Sequence, residues 1–236
     1  MLGLLLVALV AGVPTAYYRA SYMHSKRFRI VTDGKFYRSG EFTANGLRQI
    51  IANYGIKTVI NLQHENTDPL LPNLWMGKPK FRESDLCLEN GVRYIQLDAF
   101  QLISPSEQGQ KRPESIDQFL ALCDDPSIYP VLIHCKAGLH RTGRFTAIYR
   151  MEYEGKSHEA AMYEMKANGY GDFMCTDVDE YFTQYVRDYV KGIRNPAPPP
   201  QADLKPQQAA AAPQPKPAQA ATPATKNAHS EAGAKR

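Results

Sequence analysis

The chain has 236 residues and a formal net charge of +4, and much of that charge comes from lysines near its C-terminus. No basic run is interleaved with aromatic residues, so we expect no nucleic-acid partner. The four cysteines form no Cys-x-x-Cys pair, which argues against a zinc site, and they are too few for a disulfide scaffold. No metal and no cofactor is predicted.

Residues 1–18 are predicted to form an N-terminal membrane anchor or signal-like segment. The run from Leu2 to Val13 is apolar throughout, and Tyr17 and Tyr18 add the aromatic pair typical of a membrane interface. A bilayer span needs about 20 residues, so the length is marginal. No Lys or Arg precedes the run, which favours an uncleaved anchor. We therefore expect a membrane partner and a membrane-anchored location in the cell envelope, with the side of the membrane left open.

Residues 28–193 have the pattern of one folded domain in which strands and helices alternate. In chain order, we predict strands at 28–31, 35–38, 57–62, 92–97 and 131–134, and helices at 44–54, 81–90, 114–123, 141–153, 158–168 and 176–193. Asp33 and Gly34 predict a hairpin turn between the first two strands, and Gly55 is expected to end the first helix.

This alternation predicts an α/β fold with a central, mostly parallel sheet of about four to five strands, flanked by helices. Ligands of such sheets bind at the carboxyl ends of the strands. The strand at 131–134 runs directly into a loop that precedes a helix, so a binding loop is expected at this strand-to-helix junction.

Residues 195–236 are mostly Ala, Pro, Gln and Lys and contain no aromatic side chain. Such a segment buries too little apolar surface to offset the entropy of ordering. We therefore predict a disordered tail, and its composition does not distinguish a spacer from a tether or a partner-binding arm.

The loop after residue 134 has the spacing Cys-x5-Arg, from Cys135 to Arg141. Backbone N–H groups in such a loop turn inward and, with the following helix N-terminus, form an anion site. The same field is expected to make Cys135 a thiolate, which is a nucleophile toward phosphorus. Arg141 can hold two phosphoryl oxygens at once. Gly138 permits the curl of the loop, and the Thr142 hydroxyl can ease departure of the sulfur.

These residues predict a nucleophile, Cys135, and a phosphate clamp, Arg141. His134 is expected to order the loop, and His140 to lie at its rim. The predicted phosphate-binding residues are Lys136, Ala137, Gly138, Leu139, His140, Arg141 and Thr142.

The segment from His134 to Gly143 resembles the phosphate-binding loop of the cysteine-dependent protein tyrosine phosphatases, in the dual-specificity branch. The segments 36–40, 58–62, 149–150 and 160–172 are similar to the bacterial periplasmic-type members of that branch. The resemblance implies a phosphocysteine intermediate and no metal. It also implies phosphotyrosine proteins as substrates, with phosphoserine and phosphothreonine left open.

The resemblance also implies a general acid, commonly an Asp shortly after the strand that precedes the nucleophile strand. Asp98 has that place, but its spacing to Cys135 is longer than is usual in the family. Glu107 and Glu114 lie further along the same segment and remain alternatives.

Two other functions compete with a tyrosine phosphatase. Related loops hydrolyse inositol phosphates or phosphoinositides, and the charge of Lys136 would suit such substrates. A phosphate-binding module without turnover is the second, although such modules usually lack the Cys or the Arg, and this chain has both.

Overall fold

The computed structural model describes residues 2–19, 25–63, 68–72, 81–99, 112–171 and 185–206. The strands are β1 (Arg29–Thr32), β2 (Phe36–Gly40), β3 (Thr58–Asn61), β4 (Leu70–Leu71), β5 (Phe81–Arg82), β6 (Arg93–Gln96), β7 (Val131–Cys135) and β8 (Ala202–Leu204). The α-helices are α1 (Leu2–Val7), α2 (Val13–Tyr17), α3 (Ala44–Tyr54), α4 (Glu83–Glu89), α5 (Glu114–Cys123), α6 (His140–Tyr153) and α7 (His158–Ala167).

The described residues contain one six-stranded sheet of order β1-β2-β7-β3-β6-β8, and β4 pairs with β5 separately. The four inner strands, β2, β7, β3 and β6, run parallel, whereas β1 and β8 are antiparallel edge strands. The predicted α/β fold with a mostly parallel sheet is confirmed. The sheet has six strands instead of four to five because β8 comes from the segment that was predicted to be a tail.

Helices cover both faces of the sheet. On one face, Phe36, Ile60 and Ile133 pack against residues of α5 and α6. On the other, Val59 and Leu132 pack against α3 and α4. Strand β7 is buried on both faces, which explains its continuous apolar sequence. The parallel strands therefore end at one common edge, where the loop after β7 lies.

The predicted helix boundaries are largely confirmed. Thr43 is the N-cap of α3, and its hydroxyl accepts a hydrogen bond from the N–H of Gly46. Gly55 ends this helix in the left-handed conformation. Helix α4 begins at Glu83, two residues later than predicted, because Phe81 and Arg82 form β5.

The N-terminal segment forms two short α-helices, α1 and α2, separated by a π-helix at Ala8–Gly12. Among the residues that the structure describes, no helix is long and apolar enough to span a bilayer. The predicted membrane-anchored location is therefore wrong, and the predicted membrane partner is not supported. The helical part of the apolar run, from Leu2 to Tyr17, is shorter than the roughly 20 residues that a span needs.

The C-terminal part differs from its prediction in two ways. Most of the predicted helix 176–193 lies outside the described residues; its described end is helical at 185–187 and leaves the helix before residue 189. Residues 202–204, predicted to be disordered, form β8. Residues 207–236 lie outside the described part, so disorder there stays a prediction.

The N-cap of α7 provides a test of the fold. The Ser157 side chain is exposed and accepts a hydrogen bond from the N–H of Ala160 at 3.2 Å. We expect Ser157→Ala to lower the free energy of unfolding by about 1 kcal/mol, because one helical N–H loses its acceptor. Urea unfolding measures this, and Ser157→Asp, which keeps an acceptor, is the control. Equal losses in both variants would contradict the capping role.

Candidate active site

The loop after β7, called the Cys135 loop here and comprising residues 135–141, joins the centre of the sheet to α6. Cys135 is the last residue of β7 and pairs with Gly40 of β2. On the other side of β7, His134 pairs with Asn61 of β3. Helix α6 begins at His140. The predicted binding loop at a strand-to-helix junction is therefore present, with its backbone fixed between two parallel neighbours.

The outer side of the Cys135 loop is hydrogen-bonded along its whole turn. A peptide's C=O and N–H point in opposite directions, so holding the carbonyls outside turns the N–H groups toward the centre of the loop. The carbonyl of Lys136 accepts from the N–H of Glu41 at 3.3 Å, that of Ala137 from Arg27 Nη1 at 2.9 Å, that of Gly138 from Arg38 Nη2 at 2.8 Å and that of Leu139 from the N–H of Gly143 at 2.9 Å.

Arg38 is a buried cation beneath this loop, with only 1% of its surface exposed. Burial lowers the pKa of Arg38 to about 10, and the neighbouring charge of Arg29 acts in the same direction. A pKa near 10 still leaves the guanidinium charged at neutral pH. Arg38 therefore adds positive charge below the anion site as well as a hydrogen bond to Gly138. The sequence signal was an Arg inside the otherwise buried strand β2.

Arg27 binds the loop from the outer side. Its backbone has a φ of 56°, in the left-handed region that residues with a β-carbon rarely adopt. This conformation costs about 1 kcal/mol or more. It accompanies the hydrogen bond from Arg27 Nη1 to Ala137 and the bond from the N–H of Gly40 to the carbonyl of Lys26 at 2.8 Å. The sequence offered no signal for this contact, which joins residues 110 positions apart.

Gly138 is required by both conformation and space. Its φ is +73°, and a β-carbon there would lie 2.5 Å from the N of Gly40 and 2.6 Å from the carbonyl carbon of Ser39. Both neighbours are backbone atoms of the sheet and cannot move cheaply. The close approach of the loop to β2 therefore depends on glycine.

The thiol of Cys135 is 5% exposed and has no disulfide partner. Burial alone would raise its pKa, but the Thr142 hydroxyl, the N–H groups of Thr142 and Gly138, and the charge of Arg141 outweigh burial. The net result is a lowered pKa. By contrast, burial raises the pKa of the other two described cysteines, Cys87 and Cys123. Cys135 is therefore the thiol of the described chain with the greatest tendency to ionise.

Arg141 lies in the first turn of α6, and its Nη1 donates to the carbonyl of Leu62 at 3.3 Å. Leu62 directly follows β3, so the carboxyl end of the neighbouring strand orients the guanidinium. The charge of Arg141 also acts on the Cys135 sulfur. Both residues that the sequence predicted as nucleophile and clamp are thus brought together.

His134, on the opposite face of β7 from Cys135, contacts a carboxylate that sequence reasoning missed. Its Nε2 lies 2.9 Å from Oε1 of Glu83, and both side chains are about 1% exposed. Burial by itself lowers the pKa of His134, but the Glu83 carboxylate outweighs burial and raises it. Burial raises the pKa of Glu83. His134 therefore keeps its proton to higher pH than an exposed histidine.

His140, predicted to lie at the rim of the loop, is half-buried. The His140 ring meets Tyr170 edge-on, with ring centroids 5.4 Å apart. Lys136 is exposed. Tyr170 also packs under the guanidinium of Arg144, at 5.8 Å from the ring centroid. Tyr170 thus supports the first turns of α6, a contact that the sequence did not indicate.

The three candidates for the general acid are placed differently. Asp98 is half-buried and lies two residues after β6, at the same sheet edge as the Cys135 loop. Glu114 is the first residue of α5 and is also half-buried. Glu107 lies outside the described residues. The structure is thus consistent with Asp98 through the topology of the sheet, and the assignment stays a prediction.

Comparison with protein families gives a match over residues 17–180 to the family described as "DSP-PTPase phosphatase fused to NAD+ Kinase". This range is more than half of the chain and includes the Cys135 loop. The chain belongs to this family. The resemblance to the cysteine-dependent phosphatases that the sequence indicated is therefore confirmed.

A curated relative is the dual specificity protein phosphatase TpbA of Pseudomonas aeruginosa, 51% identical over 43 residues, which are 18% of this chain. The match spans about a fifth of the relative's length, 20%. Among solved structures, the core catalytic domain of the PP-IP phosphatase SIW14 from S. cerevisiae is 18% identical with a TM-score of 0.52, covering 71% of this chain and 88% of that chain. The SIW14 likeness confirms the fold.

Gly138 gives a sharp test of the loop. We expect Gly138→Ala to reduce phosphate-ester turnover by about 100-fold or more, because the β-carbon displaces the anion site from the sheet. The matched control is Gly55→Ala, where φ is also positive, +59°, but the added carbon meets nothing within 4 Å. That variant is expected to lose about 1 kcal/mol of stability and to keep its turnover. Similar turnover in both variants would contradict the steric requirement.

The lowered pKa of Cys135 predicts its alkylation profile. Iodoacetamide reacts with the thiolate, so the rate at Cys135 should reach half its maximum below pH 9.0, the ordinary value for a cysteine. Thr142→Val removes the hydroxyl at nearly constant volume and should shift the midpoint upward. Mass spectrometry assigns the sites, with Cys87 and Cys123 as internal controls that should not react in the folded protein. A midpoint unchanged by Thr142→Val would refute the role of the hydroxyl.

Proposed function

We propose that the chain is a protein tyrosine phosphatase of the dual-specificity type, which hydrolyses phosphomonoesters through a phosphocysteine intermediate. The observation that carries the proposal is the thiol of Cys135, whose pKa is lowered by the hydrogen bonds and charges of an inward-facing anion loop. Family membership supports the same activity. Phosphotyrosine proteins are the proposed substrates, and the proposed chemistry needs no metal.

In the first step, the phosphoryl group binds to the inward N–H groups of residues 136–142 and to Arg141. The Cys135 thiolate donates an electron pair to phosphorus, the S–P bond forms, and the bond from phosphorus to the ester oxygen breaks. Asp98 donates a proton to the departing oxygen, so the leaving group departs as a neutral alcohol or phenol.

In the second step, water attacks phosphorus and Asp98 accepts its proton. The S–P bond breaks and returns its electron pair to Cys135 as a thiolate. The same interactions that lower the pKa of Cys135 stabilise the departing sulfur. Inorganic phosphate then leaves, and Asp98 is protonated again for the next cycle.

Asp98 is proposed over Glu114 because of sheet topology. Strand β6 is parallel to β3, which is parallel to β7, so the segments after β6 and β7 leave the sheet at the same edge. Asp98 lies in the first of these segments and Cys135 at the start of the second. Glu114 begins a helix that packs on the face of the sheet.

The two competing functions are less well supported. A binding module without turnover has no need of a thiol with a lowered pKa, whereas a nucleophile does. An inositol phosphate substrate would call for several cationic side chains around the site. Lys136 is an exposed cationic side chain of the described loop. Comparing a phosphotyrosine peptide with inositol hexakisphosphate separates these substrate classes.

Three substitutions test the mechanism on an aryl phosphate and a phosphotyrosine peptide. Cys135→Ser should abolish turnover yet retain phosphopeptide binding, because the anion site persists without its nucleophile. Arg141→Lys should lower kcat/KM by about 100-fold or more, because the bidentate clamp is lost. Asp98→Asn should lower kcat by about 100-fold for phosphotyrosine, and less for p-nitrophenyl phosphate, whose leaving group needs little protonation.

Glu114→Gln is the control for Asp98→Asn, since it removes the alternative carboxylate. The pH profile decides between them: loss of the basic limb of kcat in one variant identifies the group that must be protonated. A lost limb in Glu114→Gln, with Asp98→Asn unchanged, would reverse the assignment. Full activity of Cys135→Ser would overturn the proposed function as a whole.

A further inference from the structure

The edge of the sheet beyond β6 is occupied by a segment of the chain's own C-terminal part. Strand β8 pairs antiparallel with β6, with Leu204 opposite Tyr94, Asp203 opposite Ile95 and Ala202 opposite Gln96. Composition predicts disorder for this segment, so specific contacts must hold it in place.

On the side away from β3, the backbone of β6 has hydrogen-bonding groups that an added strand can pair with. The N–H of Arg93 donates to the carbonyl of Lys57, and that of Leu97 to Asn61, both at 2.9 Å and both toward β3. Because N–H groups alternate in direction along a strand, those of Tyr94 and Gln96 face β8. These two N–H groups are the ladder donors that β8 covers.

A charged side-chain pair fixes the register of this ladder. Asp203 receives two hydrogen bonds from Arg93, Nε to Oδ1 at 2.7 Å and Nη2 to Oδ2 at 2.6 Å. This two-pronged contact is the strong and geometrically specific form of an Arg–carboxylate pair. Nη1 of Arg93 lies 3.4 Å from Asp125, so the guanidinium is already oriented by the domain. A shift of one residue in β8 would break the Arg93–Asp203 pair.

The residues before β8 are also bound to the domain. Nε2 of Gln118, on α5, donates to the carbonyls of Pro198 and Pro199 at 3.0 and 3.1 Å. Asn195 donates to Asp117 at 3.1 Å. Prolines lack an N–H, so this stretch cannot join a ladder, but its carbonyls are available as acceptors. The segment is thus bound at Pro198 and Pro199 by the side-chain amide of Gln118, and at Asp203 by Arg93.

We propose that the β6 edge, together with Arg93 and Gln118, is a docking surface for an extended proline-containing peptide with one carboxylate, and that its occupant is the chain's own segment 196–204. The mode is addition of a strand to a sheet edge, in which main-chain hydrogen bonds give affinity and side chains give register. A ladder of three residues is weak by itself, and covalent linkage supplies the effective concentration that keeps it occupied.

The docking surface matters for the site because β6 leads to Asp98, two residues beyond Gln96. One side of the end of β6 is held by β3 and the other by β8. Any effect of docking on turnover rests on the proposed function, in which Asp98 is the acid. The docking itself is tested by measurements that do not involve turnover.

The first test compares two truncated proteins by amide hydrogen exchange. Ending the chain after Arg194 removes the occupant, and ending it after Pro206 removes only residues 207–236. We expect the amides of Tyr94 and Gln96 to exchange about tenfold faster or more in the shorter protein, with those of Arg93 and Leu97 changing less. The protein ending at Pro206 should match the full chain. Equal protection of Tyr94 and Gln96 in all three proteins would overturn the proposal.

The second test restores the occupant in trans. A peptide of residues 196–206 is titrated into the ¹⁵N-labelled protein ending at Arg194, and chemical-shift changes should cluster on β6 and on Gln118. Asp203→Asn in the peptide should weaken binding by roughly fivefold or more, because the paired charge is lost. Lys205→Gln is the control and should bind like the unmodified peptide. Absence of any shift on β6 would contradict the docking surface.

A measurement of molar mass distinguishes the occupant's source. Light scattering should show a monomeric full chain whose Tyr94 and Gln96 protection does not change on dilution. Protection that falls on dilution together with loss of a dimer would show that the segment comes from a second copy, and would overturn the assignment to the same chain.

Discussion

The direction of four consecutive peptide groups, those of residues 136–139, is the constraint on which the site depends. An anion loop works only if its N–H groups face inward, and a backbone in that form must satisfy its carbonyls elsewhere. Donors from outside meet this demand, and the side chains among them are Arg27 and Arg38. Strand β7 lies between the parallel strands β2 and β3. Residues near the carboxyl ends of these neighbours can therefore donate to the loop carbonyls and, through the carbonyl of Leu62, orient Arg141.

Buried basic side chains lie on both faces of β7 below the nucleophile. Arg38 lies on the α6 face, and His134, paired with Glu83, on the other. Burying either group without an acceptor would be costly. Nη2 of Arg38 donates to the Gly138 carbonyl, and His134 contacts the Glu83 carboxylate.

The nucleophile loop could be predicted because strand, loop and helix are consecutive in the chain. The short spacing of Cys135, Gly138 and Arg141 in sequence is therefore enough to predict their roles. The contacts of Glu83, Arg27 and Arg38 could not, since each joins residues separated by about 50 to 110 positions whose proximity only the sheet order determines. Composition was misleading for β8, because a strand of three residues depends on one guanidinium and not on its own apolar content.

Strand β6 lies between the active-site edge of the sheet, which it reaches through Asp98, and the C-terminal strand β8, with which it pairs. An uncovered sheet edge exposes unpaired N–H and C=O groups that other chains can use, and covering it with the chain's own segment removes that hazard. Segment 196–204 has little apolar surface, so its contact with the domain relies on backbone pairing with β6, on Arg93 and on Gln118. The edge that lies nearest in sequence to Asp98 is therefore closed by a three-residue strand from the chain's own C-terminal part. Under the proposed mechanism, the proton donor then follows a strand that pairs with a short edge strand, whereas the nucleophile ends a strand that is paired with long parallel strands on both sides.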